Sequence, residues 1–394
     1  MDPGARLLDM PCVLGINMSH TGAACLVADG RVVAAVSEER LSRRKGDAGF
    51  PARSILSVLE TAGVDAADVD GIAVGTLAEH FLPRLAQDRE YRPGIRLAGE
   101  ASRWLPLSLV GSSALRGIYR WSAGVRRRHE WTQEHHPRLV EMGFAGTPVH
   151  RFEHHACHAA ASWWLRPFDG DGVVLTCDGL GDGLAATVSV GSAEGLRRVA
   201  SISSVHSIGS LYSRVTRFLG MKPWEHEGKV MGLAPYADVD RARAIADEFL
   251  GFVRVDGLQF RNDIGLIGNG FLSHLQRRYG TCRFDDVAYA IQHMTETRLE
   301  EWARNAMEIL GPRRVCVGGG VFMNVKANAR IAAAADELFV FPAPGDESIA
   351  VGAALLAEHE ISGSLRAVPM NAPYWGPDAS LGVRAAVEGL DRDR

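Results

Sequence analysis

The sequence predicts an α/β fold of two similar lobes, and three observations carry that expectation. Strand-like apolar runs come in threes at two places, over 12–36 and 172–202. Each triplet is followed by helical stretches and further short apolar runs, a βββαβα-type order. Between the triplets lies a helical stretch of about 77–146, broken by Pro83, Pro93, Pro106 and Pro137 and anchored by Trp104, Trp121 and Trp131, which reads as an insertion.

The first triplet runs from Cys12 to Asn17, Ala23 to Ala28 and Arg31 to Val36, with Asp29-Gly30 between the last two as a hairpin signal. An amphipathic helix from Ser54 to Ala62 and a short strand from Gly71 to Val74 follow. The second triplet is Val173 to Cys177 ending on Asp178, then Leu184 to Val190, then Leu196 to Ile202. Asn17-Met-Ser-His20-Thr-Gly22 and Asp178-Gly-Leu-Gly-Asp182-Gly183 occupy corresponding turns, so an internal duplication is expected. Two meanders, each followed by helices, describe the actin-like ATPase (ASKHA) architecture, in which paired hairpin turns face a cleft and hold phosphates through backbone N–H groups. Further on, Arg314 to Val317 is a strand entering Gly318-Gly-Gly320, and Val325 to Ala334 is helical. Leu338 to Pro342 is the next strand, and Gly345-Asp346-Glu-Ser348 opens a helix from Ile349 to His359. These elements divide the chain into an N-terminal lobe over 1–170, a C-terminal lobe over 171–360 and a tail over 361–394.

At 394 residues, 46% hydrophobic and 23% charged, the chain is expected to exceed one small core. A net charge of −4 and a pI near 6.4 supply no general attraction for nucleic acid, and Arg126-Arg-Arg128 reads as a solvated helix face. Six cysteines without a C-x-x-C pair read as buried thiols in a reducing cytoplasm. With no run of eighteen apolar residues and no basic leader before an apolar stretch, neither membrane insertion nor export is expected.

The richest chemistry lies in Val149-His-Arg-Phe-Glu-His154-His155-Ala-Cys-His158. His154 and His158 stand four apart at the start of an alanine-rich helix, so both rings project from one face. His155, three residues before His158, is the rival to His154. Asp178, at the end of its strand, completes a mixed N/O set that suits iron(II), manganese or zinc rather than calcium. The glycines after Asp178 and the triplet Gly318-Gly319-Gly320 allow backbone to approach a ligand closely. Asp346 at a helix start reads as an N-cap or as a further ligand.

Together these segments resemble the O-carbamoyltransferases of nodulation and antibiotic biosynthesis, whose N-terminal part is similar to the tRNA threonylcarbamoyladenosine transferase subunit. The likeness rests on Val13-Leu-Gly-Ile-Asn17 with His20, Ser37-Glu-Glu-Arg40-Leu-Ser-Arg43-Arg44-Lys45, His154-His-Ala-Cys-His158, Cys177-Asp-Gly179, Ser207-Ile-Gly-Ser-Leu-Tyr212, Glu227 to Tyr236, Gly319-Gly-Val-Phe-Met-Asn324 and Gly345-Asp346. It implies His154, His158, Asp178 and Asp346 as metal ligands, with iron(II) the first choice. It implies Asp178, Gly179, Gly319, Gly320 and Asn324 around a nucleotide, with Lys229 nearby.

The implied reaction is transfer of a carbamoyl group from carbamoyl adenylate, made from ATP with carbamoyl phosphate as ultimate donor, to a hydroxyl or amine of a small natural-product acceptor. His20 would be the base, or else a structural histidine of its turn; the family commonly has aspartate next, where Thr21 stands here. Arg40, Arg43, Arg44 and Lys45 would neutralise the leaving phosphate, or form a solvated face. Relatives continue into an adenylate-forming domain soon after a motif like Tyr374-Trp-Gly-Pro377, so either a separate activating partner or a longer enzyme of which this chain is a fragment is expected. The contrasting expectation is a non-catalytic nucleotide-binding scaffold of a carbamoyltransferase complex; a tRNA-modifying role is disfavoured by the modest charge. A homodimer or heteromer fits either.

Overall fold

Two five-stranded mixed sheets organise the chain, and each begins as a meander where the apolar runs predict one. The structure is a computed structural model and describes residues 11–77, 131–363 and 368–378. The expected insertion therefore lies mostly outside the described residues.

In the first sheet β1 (Cys12–Met18), β2 (Gly22–Ala28) and β3 (Arg31–Ser37) pair antiparallel. Asp29 and Gly30, at φ 51° and 66°, make the tight turn between β2 and β3. Helices α1 (Glu38–Ser42) and α2 (Ala52–Ala62) lead to β4 (Gly71–Gly75), which lies parallel to β1. After α3 (His136–Glu141), β5 (Val149–Phe152) adds parallel to β4, giving the order β3-β2-β1-β4-β5.

Helix α4 (His154–Trp164) crosses to the second sheet, whose meander is β6 (Gly172–Gly181), β7 (Leu184–Ser192) and β8 (Gly195–Ser203). Next come α5 (Ile208–Phe218), α6 (Glu227–Leu233), α7 (Val239–Leu250), the hairpin of β9 (Val253–Asp256) and β10 (Gln259–Asn262), and α8 (Gly268–Tyr279). The 27-residue helix α9 (Phe284–Leu310), to which the apolar pattern assigned no element, packs Trp302, Ala303 and Ala306 into the core. Then β11 (Arg314–Gly318), α10 (Val325–Ala334), β12 (Glu337–Val340) and α11 (Glu347–Ser362) complete the described chain up to 363. Since β11 is parallel to β6 and β12 to β11, the order β8-β7-β6-β11-β12 repeats that of the first sheet, strand for strand and sense for sense.

Helices α4 and α11 fill the space between the sheets. Val13, Cys25 and Ala73 of the first sheet, Val174 and Cys316 of the second, and Cys157, Ala160, Ile349 and Ala353 of the two helices form one buried cluster. Each fully buried valine or isoleucine there contributes on the order of 1.5–3 kcal/mol. The outer face of the first sheet packs on α2 through Ile55 and Val58, and that of the second on α5 and α9. The two central helices approach closely because Gly352 has no side chain: a Cβ there would lie 1.8 Å from the Cys157 carbonyl oxygen. That closeness brings the N-terminal ends of α4 and α11 to one point. Among the described residues no helix is long and apolar enough to cross a membrane.

Candidate functional site

Helix α4 is started by Glu153, whose carboxylate accepts from the Ala156 N–H at 3.0 Å. Its first backbone N–H, of His154, donates to Asp182 Oδ2 at 2.8 Å, and Leu77 N–H reaches the same oxygen at 2.9 Å. Asp182 is thereby the tie between the turn after β6 and the start of the helix. His154 and His158 project from one face as the spacing predicts, and both are fully buried.

Asp178 comes from an interruption of β6. The β6–β7 register shifts between Cys177 and Gly181, so residues 178–180 leave the ladder and the carboxylate turns inward. Gly181 permits this, since a Cβ there would fall 2.1 Å from the His154 ring. Asp346 enters from the N-cap position of α11 and is 3% exposed. One ligand atom from each of His154, His158, Asp178 and Asp346 lies within 4.8 Å of the others. The two Nε2 atoms are 3.0 Å apart, and Asp178 Oδ2 stands 3.2 Å from that of His154 and 3.4 Å from that of His158.

The outward nitrogens explain why both Nε2 atoms face this point. His154 Nδ1 lies 3.2 Å from Thr76 Oγ1, and His158 Nδ1 lies 2.8 Å from Ser348 Oγ. With those nitrogens carrying the protons, each Nε2 keeps its lone pair for the centre, the usual arrangement of metal-binding imidazoles. Although burial acts to raise it, Asp178 is held well below the usual carboxylate range by hydrogen bonds from the two imidazoles, which they make when no ion takes their Nε2 lone pairs. Asp346 is likewise lowered against the effect of burial, by His20 and His154. Two imidazoles and two carboxylates, buried and converging, fit a divalent transition metal.

His155 points elsewhere: its Nδ1 is 2.8 Å from Thr176 Oγ1 and its Nε2 is buried without a hydrogen-bond partner. Burial, with His154 next, pushes its pKa down to about 3, so it stays neutral.

Above the four groups opens a cavity of about 470 Å³. From the first sheet's side it is lined by His20, Thr21, Glu39 and Lys45, and from the second by Asp178, Gly179, Gly320 and Asn324. His20, in the turn between β1 and β2, places Nδ1 3.0 Å from Asp346 Oδ2, which also accepts from Ser19 Oγ at 2.6 Å. Burial opposes protonation of His20, but the Asp346 carboxylate outweighs it and the pKa rises. The N-terminus of α5 faces the same space through Ile208, Gly209 and Ser210, with Ser207 Oγ on the Asp178 carbonyl and Ser210 Oγ on that of Gly179. The Ser210 N–H is taken by Ser207 Oγ at 2.9 Å, and the helix start as a whole favours an anion such as phosphate.

The remaining sequence candidates divide. Gly320 lines the cavity, with space for a Cβ only 3.1 Å from Asp178 Oδ1, whereas Gly319, at φ 100°, packs against the Cys177 backbone beneath it. Asn324 lines the cavity while capping α10 through the Ala327 N–H and pairing with Gln292. Lys229 is an exposed residue of α6 and Arg40 is 75% exposed beside Glu39; neither lines the cavity. Arg43 and Arg44 are also exposed. Sequence reasoning gave no role to Thr76, Ser19, Asp182 or Ser348. Ser19 and Asp182 lay in the two corresponding turns and Ser348 two residues after Asp346 at a helix start, whereas Thr76 carried no such signal.

Comparison with known proteins adds a family. The sequence model of the family described as carbamoyltransferase N-terminus matches residues 12–91 and 138–355. The chain is 32% identical over 390 residues to nodulation protein NolNO of Sinorhizobium fredii, covering 97% of this chain and 52% of that protein. It is 33% identical over 241 residues to nodulation protein NolO of Bradyrhizobium diazoefficiens, covering 60% of this chain and 43% of that protein. The chain thus spans about half the length of the curated relatives it matches. Among solved structures, full-length HypF in its phosphate- and nucleotide-bound form aligns with a TM-score of 0.45 at 11% identity, over 90% of this chain and 47% of that one. Component A of the Acidaminococcus fermentans (R)-2-hydroxyglutaryl-CoA dehydratase aligns with a TM-score of 0.44 at 16% identity, over 90% and 100%.

Proposed function

The chain belongs to the carbamoyltransferase family by its N-terminal domain, and from that premise we propose that it transfers a carbamoyl group from carbamoyl adenylate to a hydroxyl or amine of a small natural-product acceptor. The observation that carries the reading is the convergence of His154, His158, Asp178 and Asp346 behind a cavity that Asp178 and Asp346 line together with His20, Lys45 and Gly320.

In this reading the two sheets are duplicated lobes of an actin-like fold, over 1–170 and 171–360, a view supported by their shared strand order. His154, His158, Asp178 and Asp346 hold a divalent ion, iron(II) first and manganese or zinc after it. When bound, such an ion supplies Lewis-acid polarisation of a carbonyl or phosphoryl oxygen. The nucleotide lies over Gly320 and Asn324, with its phosphate toward the start of α5 and toward Lys45. His20, whose Nδ1 is engaged by Asp346, takes the acceptor proton on Nε2. The acceptor oxygen or nitrogen bonds to the carbamoyl carbon, the bond from that carbon to the phosphate oxygen breaks, and AMP leaves. Lys45 offsets the charge on the departing phosphate. Arg40 and Lys229, outside the cavity, take no part in these steps. Six free thiols support a reducing, cytoplasmic setting.

The adenylate is taken from an adenylate-forming domain acting on ATP and carbamoyl phosphate. The experiment is to follow carbamoylated product from the chain with and without such a domain in trans, using candidate hydroxyl and amine acceptors. Product that depends on both proteins and on His154 supports the reading. Adenylate formation by the added domain with no transfer to any acceptor refutes it.

A further inference from the structure

The segment between α5 and α6 carries a feature that the transfer reading leaves unused. Trp224 sits at φ 73°, a left-handed conformation that is a steric outlier for so bulky a side chain. The loop is held from several directions. Trp224 N–H donates to Glu227 Oε1 at 2.7 Å, and the same oxygen accepts from Ser213 Oγ at 2.9 Å, so both flanking helices grip it. His226 N–H donates to the Lys222 carbonyl at 3.0 Å, and its Nδ1 accepts from Lys222 N–H at 3.1 Å.

What the strained backbone achieves is a placement. The Trp224 indole lies against the His20 imidazole, ring centroids 4.9 Å apart and planes at 75°, while Nδ1 on the same imidazole meets Asp346 at 3.0 Å. His20 comes from the turn between β1 and β2 and Trp224 from the loop between two helices that pack on the other sheet. The contact therefore closes the cavity wall between them, and both residues line it. His20 is only 18% exposed. Strain kept in one residue, where the surroundings over-determine it, commonly marks a functional placement.

We infer that Trp224 is a positioning residue for His20: it clamps the imidazole onto Asp346 and shields that side of the cavity from water. The inference rests on the reading of His20 as the residue that faces the acceptor. A shield there limits loss of a water-sensitive carbamoyl donor before transfer.

The test is footprinting of the intact chain with diethyl pyrocarbonate, without substrate, reading each histidine by peptide mass. Trp224→Ala and Trp224→Gly should each raise the modification rate of His20 severalfold, and Trp224→Phe should keep it near the parent rate. His154 and His158 should stay protected in all. Trp224→Gly, freed of the steric penalty at positive φ, should melt no lower than Trp224→Ala, which separates the placement from bulk stability. Unchanged His20 labelling in Trp224→Ala overturns the inference, as does labelling of His154 and His158 together with His20, which would mean general collapse. In the transfer assay Trp224→Ala should lower kcat with nucleotide affinity retained. An inactive parent would defeat the transfer reading while leaving the footprint interpretable.

Discussion

Replacing Gly352 by alanine should separate the two helices that carry the candidate metal ligands. The new Cβ would stand 1.8 Å from the Cys157 carbonyl oxygen, whereas real Cβ atoms essentially never come within 3.0 Å, so α4 and α11 must part by more than an ångström. Relaxation in the opposite direction is blocked. Gly15 of β1 already lets Ala350 O sit 2.0 Å from where its Cβ would be, and Gly75 of β4 does the same for Ile349 Cγ2. With backbone on both sides, the cost should lie in the upper part of the ~1–3 kcal/mol typical of overpacked cores. The displacement falls between His158 and Ser348, which are 2.8 Å apart, and between the imidazoles and Asp346. Metal sites tolerate only ~0.2 Å in ligand distance. If even ~1.4 kcal/mol of the strain is carried by the bound state, affinity drops about tenfold. Urea unfolding with titration calorimetry of manganese(II) measures both effects. Gly232→Ala, at a helical glycine with nothing within 4 Å, is the control and should stabilise by up to ~1 kcal/mol. Gly352→Ala binding manganese with parent affinity and unfolding like the control would refute the argument that this glycine sets the ligand geometry.

Protein purified without chelator should carry one divalent metal per chain by elemental analysis, and a His154→Ala, His158→Ala double variant should carry none; stoichiometric metal in the variant removes these residues as ligands. Thr76→Val and Ser348→Ala, which remove the hydroxyls that meet the outward Nδ1 atoms, should each weaken metal binding about 10- to 100-fold while the circular dichroism spectrum stays that of the parent. Gly320→Leu, whose side chain would enter the cavity beside Asp178, should abolish AMP binding by calorimetry, and retained affinity would move the nucleotide elsewhere. His155→Leu should keep the metal. Because the folded chain holds His155 neutral to about pH 3 while the unfolded chain protonates at the ordinary value near 6.5, stability in chelator should fall as pH drops below 6.5, and this variant should flatten that acid limb.

The periodicities that made the meanders legible are local: the apolar run of β1, the Asp29-Gly30 turn and the apolar end of β6 need no distant partner to be recognised. Helix α10 falls where its sequence places it, Val325–Ala334, because Asn324 caps it from the adjacent position. Helix α9 was not legible in the same way, since it faces α7 and α10 as well as the second sheet and shows no single apolar stripe.

For the candidate site, the sequence by itself determined the residue types and the helical spacing of His154 and His158, because four residues bring side chains to one face wherever a helix forms. It left His154 and His155 equivalent, since both stand within reach of His158 on the same turn. Only the tertiary structure decided between them, by placing Thr76 of one sheet behind the His154 ring and Thr176 of the other beside His155. It likewise decided that Gly320 meets the cavity and Gly319 does not, and that Lys229 and Arg40 face outward. Those outcomes depend on which strand, turn or helix stands opposite each residue, and that is set by packing between segments far apart in sequence, as in the bond from Asn17 Nδ2 to the Asp346 carbonyl, 329 residues away.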